Sequence, residues 1–177
     1  MREGKLLIIL YEVPEEPSRF KVRTWRKLRG LGGVYPRLSL CLLPDTREVR
    51  EALEGVVREI REHGTAIVLE GKAVSGEDAL QLRSALAALK EREYREILEE
   101  CDEFLNEIRE NIEKGNLTQE EAEELEEILE ALEKWYQQVR STDWIGVQAG
   151  SEVEKKLKEC EKALEEFTSL CLRNLKT

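Results

Sequence analysis

The chain has 177 residues, of which 41% are hydrophobic and 37% are charged, and its formal net charge is -10. This length suits one ordinary domain or a small domain with an appendage, and the high share of charged residues is typical of exposed helices. No apolar run reaches the roughly 18 to 20 residues of a membrane span, and the N-terminus lacks a signal-peptide cleavage site. We therefore expect a cytoplasmic protein with no membrane partner.

The first 73 residues alternate between strand and helix patterns. The continuous apolar run "KLLIILYEV" predicts a central strand, Pro17 and Ser18 open a helix, and "GLGG" closes it. In "VYPRLSLCLLP" we place a break between two short strands at Pro36, which cannot donate to a strand ladder. Asp45 is the expected cap of a second helix, and "TAIVLEG" is the last strand. The order predicts an α+β domain at 1–73, a ferredoxin-like sandwich with two helices on one face of the sheet.

Residues 74–177 carry helix patterns almost throughout. Three capping boxes are indicated: Ser75 with Asp78, Thr118 with Glu121, and Ser151 with Glu154. Apolar residues then recur at alternating steps of three and four, which is the 3.5-residue period of coiled coils. In the first helix the stripe Ala79, Leu82, Leu86, Leu89 resumes after a five-residue step at Tyr94, Ile97, Cys101, Phe104, Ile108. We predict an acidic, coiled-coil-like bundle of three antiparallel helices at 74–177.

The cysteines and the histidine favour a protein without a metal site. Cys41, Cys101, Cys160 and Cys171 form no C-x-x-C pair, and His63 is the single histidine. Buried free thiols are therefore preferred over a zinc site or a disulfide framework. One histidine would have to serve as base for every serine and cysteine, so we predict no catalytic residue, no metal ligand and no cofactor.

Charge divides the chain into two unlike parts. Residues 1–72 contain 14 Lys and Arg against 11 Asp and Glu, a net charge of +3, whereas the remaining residues contain 14 against 27, a net charge of -13. The segment "SRFKVRTWRKLRGLGG" at 18–33 holds six basic residues and no acid. Such a shift in composition indicates two units with different roles.

The helix in 18–33 is amphipathic when drawn at 100° per residue. Its apolar arc holds Phe20, Thr24, Trp25, Leu28 and Leu31, with Lys21 and Val22 breaking the division. The cationic positions, with Arg37 as an extension, are the nucleic-acid-binding residues that we predict: Arg19, Arg23, Arg26, Lys27, Arg29 and Arg37. Three interpretations stay open, namely contact with nucleic-acid phosphates, packing against the acidic helices of this chain or of a dimer mate, and a merely solvated face.

Two stretches resemble a known family. "LYEVPEEPSRFKVRTWRKLRGLGGVYPRLSLCLLP" is similar to the opening of the ChrB N-terminal domain of chromate-resistance operons, and "STDWIGVQAGSEVEKKL" is similar to that family's loop of Asp, aromatic residue and Gly before a last acidic helix. The positions that match the family pattern are Val22, Trp25, Arg26, Leu28, Leu31, Gly32, Leu43 and Pro44. The resemblance implies a chromate-responsive transcriptional regulator, with DNA as the expected partner and no catalysis.

A second resemblance leaves alternatives open. The ferredoxin-like part is similar to CRISPR-adaptation nuclease-like proteins and to the C-terminal part of phenylacetate-pathway repressors. The nuclease-like family has an Asp at the end of its first strand, where "YEVP" places Glu12. One alternative is therefore a metal-dependent nuclease that uses Glu12 at a homodimer interface, and the other is a non-catalytic scaffold for protein interactions.

Overall fold

The computed structural model describes residues 5–14, 18–37 and 39–174, so the predicted helix opening at Pro17 lies outside the described residues. Within these ranges the chain forms an α+β fold with the elements β1 (Lys5–Glu12), α1 (Ser18–Gly30), β2 (Val34–Arg37), β3 (Leu40–Pro44), α2 (Arg47–His63), β4 (Thr65–Lys72), α3 (Gly76–Lys114), α4 (Gln119–Ser141) and α5 (Ala149–Asn174).

The chain divides into two compact units. The first comprises Met1–Lys90 with Ser141–Gly146, and the second comprises Glu91–Arg140 with Val147–Thr177. The division falls inside α3. The domain limits predicted at 73 and 74 stay a prediction.

The first unit contains an antiparallel sheet with the strand order β2-β3-β1-β4. This is the order expected of the predicted ferredoxin-like sandwich, in which two split strand–helix–strand units interleave. β1 has a neighbouring strand on each side, and this central position explains why its sequence is a continuous apolar run. Pro36 lies within β2, and not at a break between two short strands as the sequence suggested. β2 is an edge strand, and there a missing N–H group is tolerated.

One face of the sheet packs against α1 and α2. Leu7 and Ile9 of β1 alternate with Leu6 and Ile8, and so both point to this side. The buried cluster here consists of Leu7, Ile9, Leu28, Cys41, Leu43, Leu53, Val56, Val57, Ile60 and Ala66. The cluster contains side chains from both helices and from three strands. One side of α1 therefore packs against the sheet.

The opposite face of the sheet is covered in part by the beginning of α3. Leu6, Val34 and Leu42 are buried there with Leu86. Partly buried residues complete this cluster: Ile8, Leu40, Leu82, Leu89, Trp144 and Ile145. The sequence assigned the stripe from Ala79 to Leu89 to the helical bundle. That assignment is wrong for Leu82, Leu86 and Leu89, because the apolar second face of the sheet offers them a partner.

The segment that connects α4 and α5 closes this cluster. The indole Nε1 of Trp144 donates a hydrogen bond to the carbonyl oxygen of Gly32 at 2.8 Å. A carboxylate oxygen of Asp143 accepts from the backbone N–H groups of Ile145 and Gly146, at 3.2 and 2.9 Å, and so shapes the turn around the indole. Gly146 has a φ of 75°, which favours glycine.

Of the predicted capping boxes, the first is present in full, and the second shows the bond made by its N-cap hydroxyl. Ser75 and Asp78 bond reciprocally, and the hydroxyl of Thr118 accepts from the N–H of Glu121. The third is wrong, because α5 begins at Ala149 and Ser151 already lies in its first turn.

The cap of α2 is also shifted from the predicted residue. It is Thr46, whose hydroxyl accepts from the N–H of Val49, and not Asp45. The carboxylate of Asp45 is instead engaged by two nitrogens of Arg50.

The second unit contains the rest of α3 together with α4 and α5, as predicted for a helical bundle. Its buried seam follows the predicted stripes: Tyr94, Ile97, Cys101, Phe104, Ile108, Leu125, Leu129, Leu132, Tyr136, Val139, Val153, Leu157, Cys160, Phe167 and Cys171. The four cysteines of the chain are free and buried, as predicted.

Substituting Gly33 tests the packing under the end of α1. A Cβ at Gly33 would meet the carbonyl oxygen of Leu28 at 2.5 Å and Sγ of Cys41 at 2.7 Å, whereas a Cβ at Gly30 meets nothing within 4 Å. We expect Gly33→Ala to lower the free energy of unfolding by about 1–3 kcal/mol, as overpacking does. Gly30→Ala, the control, should leave it unchanged or raise it. Urea unfolding followed by Trp144 fluorescence, with the other two tryptophans replaced by Phe, gives the comparison, and equal midpoints for both variants would contradict the expectation.

Substituting Trp144 tests the hydrogen bond to Gly32. Trp144→Phe keeps a ring beside Gly32 but removes the N–H donor. Loss of one such bond costs about 1 kcal/mol. Amide hydrogens of β3 should then exchange faster by about fivefold, because exchange there requires opening of this unit. Hydrogen–deuterium exchange measures the change, and unaltered rates in β3 would show that the bond does not contribute to stability.

Candidate nucleic-acid interface

The inner side of α1, which packs against the sheet, carries mostly apolar residues. Phe20, Thr24 and Leu28 are spaced four apart, lie on one side of the helix and are buried. Leu31 follows them and is partly buried. The remaining positions of α1 are therefore free to carry charge, and none of the described residues of the helix is acidic.

The predicted cationic residues lie on the outer side of α1. Arg19, Arg23, Arg26 and Lys27 are exposed, and Arg29 is half-buried. The structure thus brings these five side chains to one surface, which we call the basic face. Arg37 is exposed at the end of β2. Its membership in the basic face stays a prediction.

Glu59 of α2 is the acidic neighbour of the basic face. Its carboxylate oxygens lie 2.5 Å from Nζ of Lys27 and 3.9 Å from a guanidinium nitrogen of Arg23. The Lys27 hydrogen bond lowers the pKa of Glu59, so the carboxylate is held ionised. Exposed pairs of this kind contribute about 0–1 kcal/mol each, which an incoming phosphate can outweigh. Two of the five cations are therefore positioned by a weak internal partner.

Arg19 and Arg26 differ from Arg23 and Lys27. Among the residues that the structure describes, no carboxylate pairs with either of them. Both guanidinium groups are exposed. They are the cations of the basic face most open to an external anion.

Two apolar side chains lie on the same outer side. The exposed fractions of Trp25 and Val22 are 41% and 45%. The helical drawing placed Trp25 on the apolar arc, and this was wrong. The guanidinium carbon of Arg29 stands 4.6 Å from the centroid of the indole ring. One signal of this arrangement is visible in the sequence, since Val22 already interrupts the cationic arc.

His63 has a packing role at the end of α2. Its ring meets Phe20 edge to face, with 4.7 Å between ring centroids. Arg23 stands over the same phenyl ring at 5.4 Å. These contacts join α1 to α2 beneath the basic face.

Glu12 ends β1 opposite Thr65 of β4 and is exposed. In the described part of the chain, no group of three or more His, Cys, Asp or Glu residues is placed to hold a metal ion. The geometry therefore adds nothing to the nuclease alternative beyond the exposure of this carboxylate.

A neutral polar cluster lies beneath the sheet. The hydroxyls of Tyr11 and Tyr35 are 3.1 Å apart. Burial raises the pKa of Cys41 to about 12 and also raises the pKa of Tyr35. All three groups are therefore protonated near neutral pH, and a buried thiol of this kind is a poor nucleophile.

Within the described residues, none of the helices is long and apolar enough to cross a membrane.

Comparison with known proteins identifies a family. Residues 21–177 match the family described as Protein ChrB, N-terminal, so the match includes most of α1 and everything after it. No curated protein sequence matches the chain. The chain therefore belongs to the ChrB N-terminal family.

Proposed function

We propose that this member of the ChrB N-terminal family acts in chromate resistance as a DNA-associated regulator whose basic face contacts phosphates. Membership of the family links the chain to chromate resistance. The observation that carries the DNA-binding part is the unmixed charge of α1, with Arg19 and Arg26 exposed and unpaired among the described residues. The proposal includes the cytoplasmic location expected from the sequence.

Like charges at helical spacing support the proposal. Arg19, Arg23 and Lys27 follow one another at four-residue steps, and such neighbours repel by about 0.2–0.5 kcal/mol per pair. Glu59 relieves this repulsion only at Arg23 and Lys27. A polyanion that binds across the face would relieve the remainder and release counterions, which is the main source of sequence-independent affinity for DNA.

The dimensions of α1 also suit a phosphate backbone. Its 13 residues span about 20 Å at 1.5 Å per residue. Each strand of duplex DNA presents one phosphate for about every 3.4 Å of the duplex axis, so several of them come within reach of one helix. These contacts position a protein on DNA and carry no sequence information. Base-specific readout is therefore not assigned to any residue.

The acidic net charge does not oppose this mechanism. The acids are concentrated after residue 72, while residues 1–72 carry a net charge of +3. Binding through one basic face then requires only that face to meet the DNA. A homodimer stays a prediction, and the proposed contact does not depend on it.

Removing Arg19 and Arg26 tests the proposal. Arg19→Ala/Arg26→Ala should weaken binding to a duplex about tenfold or more at 50 mM salt. It should also make the plot of log affinity against log salt shallower by about 2, because two phosphate contacts are lost. Fluorescence anisotropy of a labelled duplex at several salt concentrations measures both quantities.

A matched variant keeps this experiment specific. Arg58→Ala/Arg83→Ala removes the same charge from exposed positions of α2 and α3 in the same unit. It should retain the slope of the parent chain. Equal losses in both double variants would indicate a net-charge effect and contradict a contact at the basic face.

Neutralising Glu59 tests the same contact through an expected gain in affinity for DNA. Glu59→Gln should strengthen duplex binding about two- to fivefold, because Lys27 and Arg23 no longer share their charge with an internal carboxylate. Glu54→Gln on the same helix changes the net charge equally but breaks no ion pair among the described residues, so it is the control. Anisotropy at fixed salt measures the difference, and an equal gain in both variants would remove the role given to Glu59.

A further inference from the structure

Trp25 is an exposed aromatic residue that lies outside the buried clusters of the first unit. The buried residues of α1 are Phe20, Thr24 and Leu28, and Leu28 packs with the residues of the sheet. Trp25 nevertheless keeps 41% of its surface in solvent. Large aromatic groups are usually buried or placed at interfaces, where their flat faces gain contact area. The exposed indole thus indicates a ligand with a flat apolar surface.

Trp25 has one apolar neighbour and several arginines nearby on α1. Val22 precedes Trp25 by three residues, and Arg29 follows it by four, so all three lie along one side of the helix. Arg19 precedes Val22 by three residues and Arg26 follows it by four. Both therefore lie next to the strip formed by Val22 and Trp25. A small apolar patch is therefore bordered on one side by arginines.

The indole and Arg29 already form a stacked pair. The guanidinium carbon lies 4.6 Å from the ring centroid, which is the geometry of a cation–π contact. Aromatic rings and guanidinium planes are the two surfaces on which proteins stack unpaired bases. The pair thus offers a platform for a base beside cations that suit its phosphates.

A single strand of nucleic acid is the ligand that would use both the exposed indole and the arginines around it. In a duplex each base face is covered by its neighbours, so an indole on the protein surface gains nothing from it. In an unpaired strand the base faces are free, and stacking on an aromatic residue is tolerant of sequence. An acidic protein partner would satisfy the arginines but would not require a flat aromatic face.

We propose that the basic face binds unpaired nucleotides, with a base stacked on Trp25 and phosphates held by Arg19 and Arg26. This inference rests on the proposed nucleic-acid function and specifies its substrate as single-stranded DNA or an unpaired segment within a duplex. Arg19 and Arg26 are about 10 Å apart along the helix axis, so they suit phosphates on either side of the stacked base.

The experiment compares a labelled dT15 strand with a 15-base-pair duplex at one salt concentration, by anisotropy. The parent chain should bind dT15 more tightly than the duplex. Trp25→Ala should weaken dT15 binding about tenfold, within the range measured for loss of one base–aromatic stack, and change duplex binding less than twofold. Trp25→Phe, which keeps an aromatic face, should restore most of the affinity for dT15.

Two checks make the result specific to the indole. Leu80→Ala removes another exposed apolar side chain of the same unit and should change neither affinity. Circular dichroism of Trp25→Ala should match that of the parent chain, because the substituted side chain lies outside the buried clusters.

The outcomes separate this inference from the proposed function. If the parent chain binds both probes and Trp25→Ala weakens both equally or neither, stacking on an unpaired base is overturned while phosphate binding stands. If neither probe binds to the parent chain, both proposals are overturned, and a protein partner for the exposed indole becomes the better explanation. A selective loss of dT15 binding in Trp25→Ala, with recovery in Trp25→Phe, supports the stacked base.

Discussion

The central strand β1 needs cover on both faces, and most of the first unit follows from this need. Leu7 and Ile9 face α1 and α2, whereas Leu6 and Ile8 face the beginning of α3 and the Trp144 segment. An apolar run of this kind loses about 25 cal/mol for each Å² left in water, so neither face can stay open along its length. Two helices cover one face, and residues distant in sequence cover part of the other.

The packing of α1 on the first face of the sheet determines which of its side chains are exposed to solvent. A helix on a sheet buries one stripe, and in α1 this stripe is centred on Thr24 and Leu28. Most of the exposed positions carry cations, and none of them carries an acid. The charge is therefore not required by the fold. Repulsion along the helix slightly opposes folding, and Glu59, which is 32 residues from Lys27, offsets only part of it.

The local sequence pattern predicted the elements well and their partners less well. The strand and helix order, the seam of the bundle and the cationic side of α1 all follow from periodicity within one element. Trp25 lies at the border of the apolar arc, and whether a border residue is covered depends on neighbours that the period does not identify. The same holds for Leu86, whose spacing suits a bundle as well as a sheet face. The pair of Lys27 with Glu59 joins two elements and has no local signal.

The five-residue step between Leu89 and Tyr94 shows how one helix serves two cores. Steps of three and four keep an apolar stripe on one side of a helix, whereas a step of five moves the stripe by about 140° at 100° per residue. The stripe before the step packs on the sheet, and the stripe after it packs in the bundle. The division between the two units falls at Lys90, inside this step. The phase break therefore marks the change of core more closely than the loop at residues 73–75 does. Most of the acids follow this point, so a chain with a net charge of -10 can still keep one helix face entirely cationic.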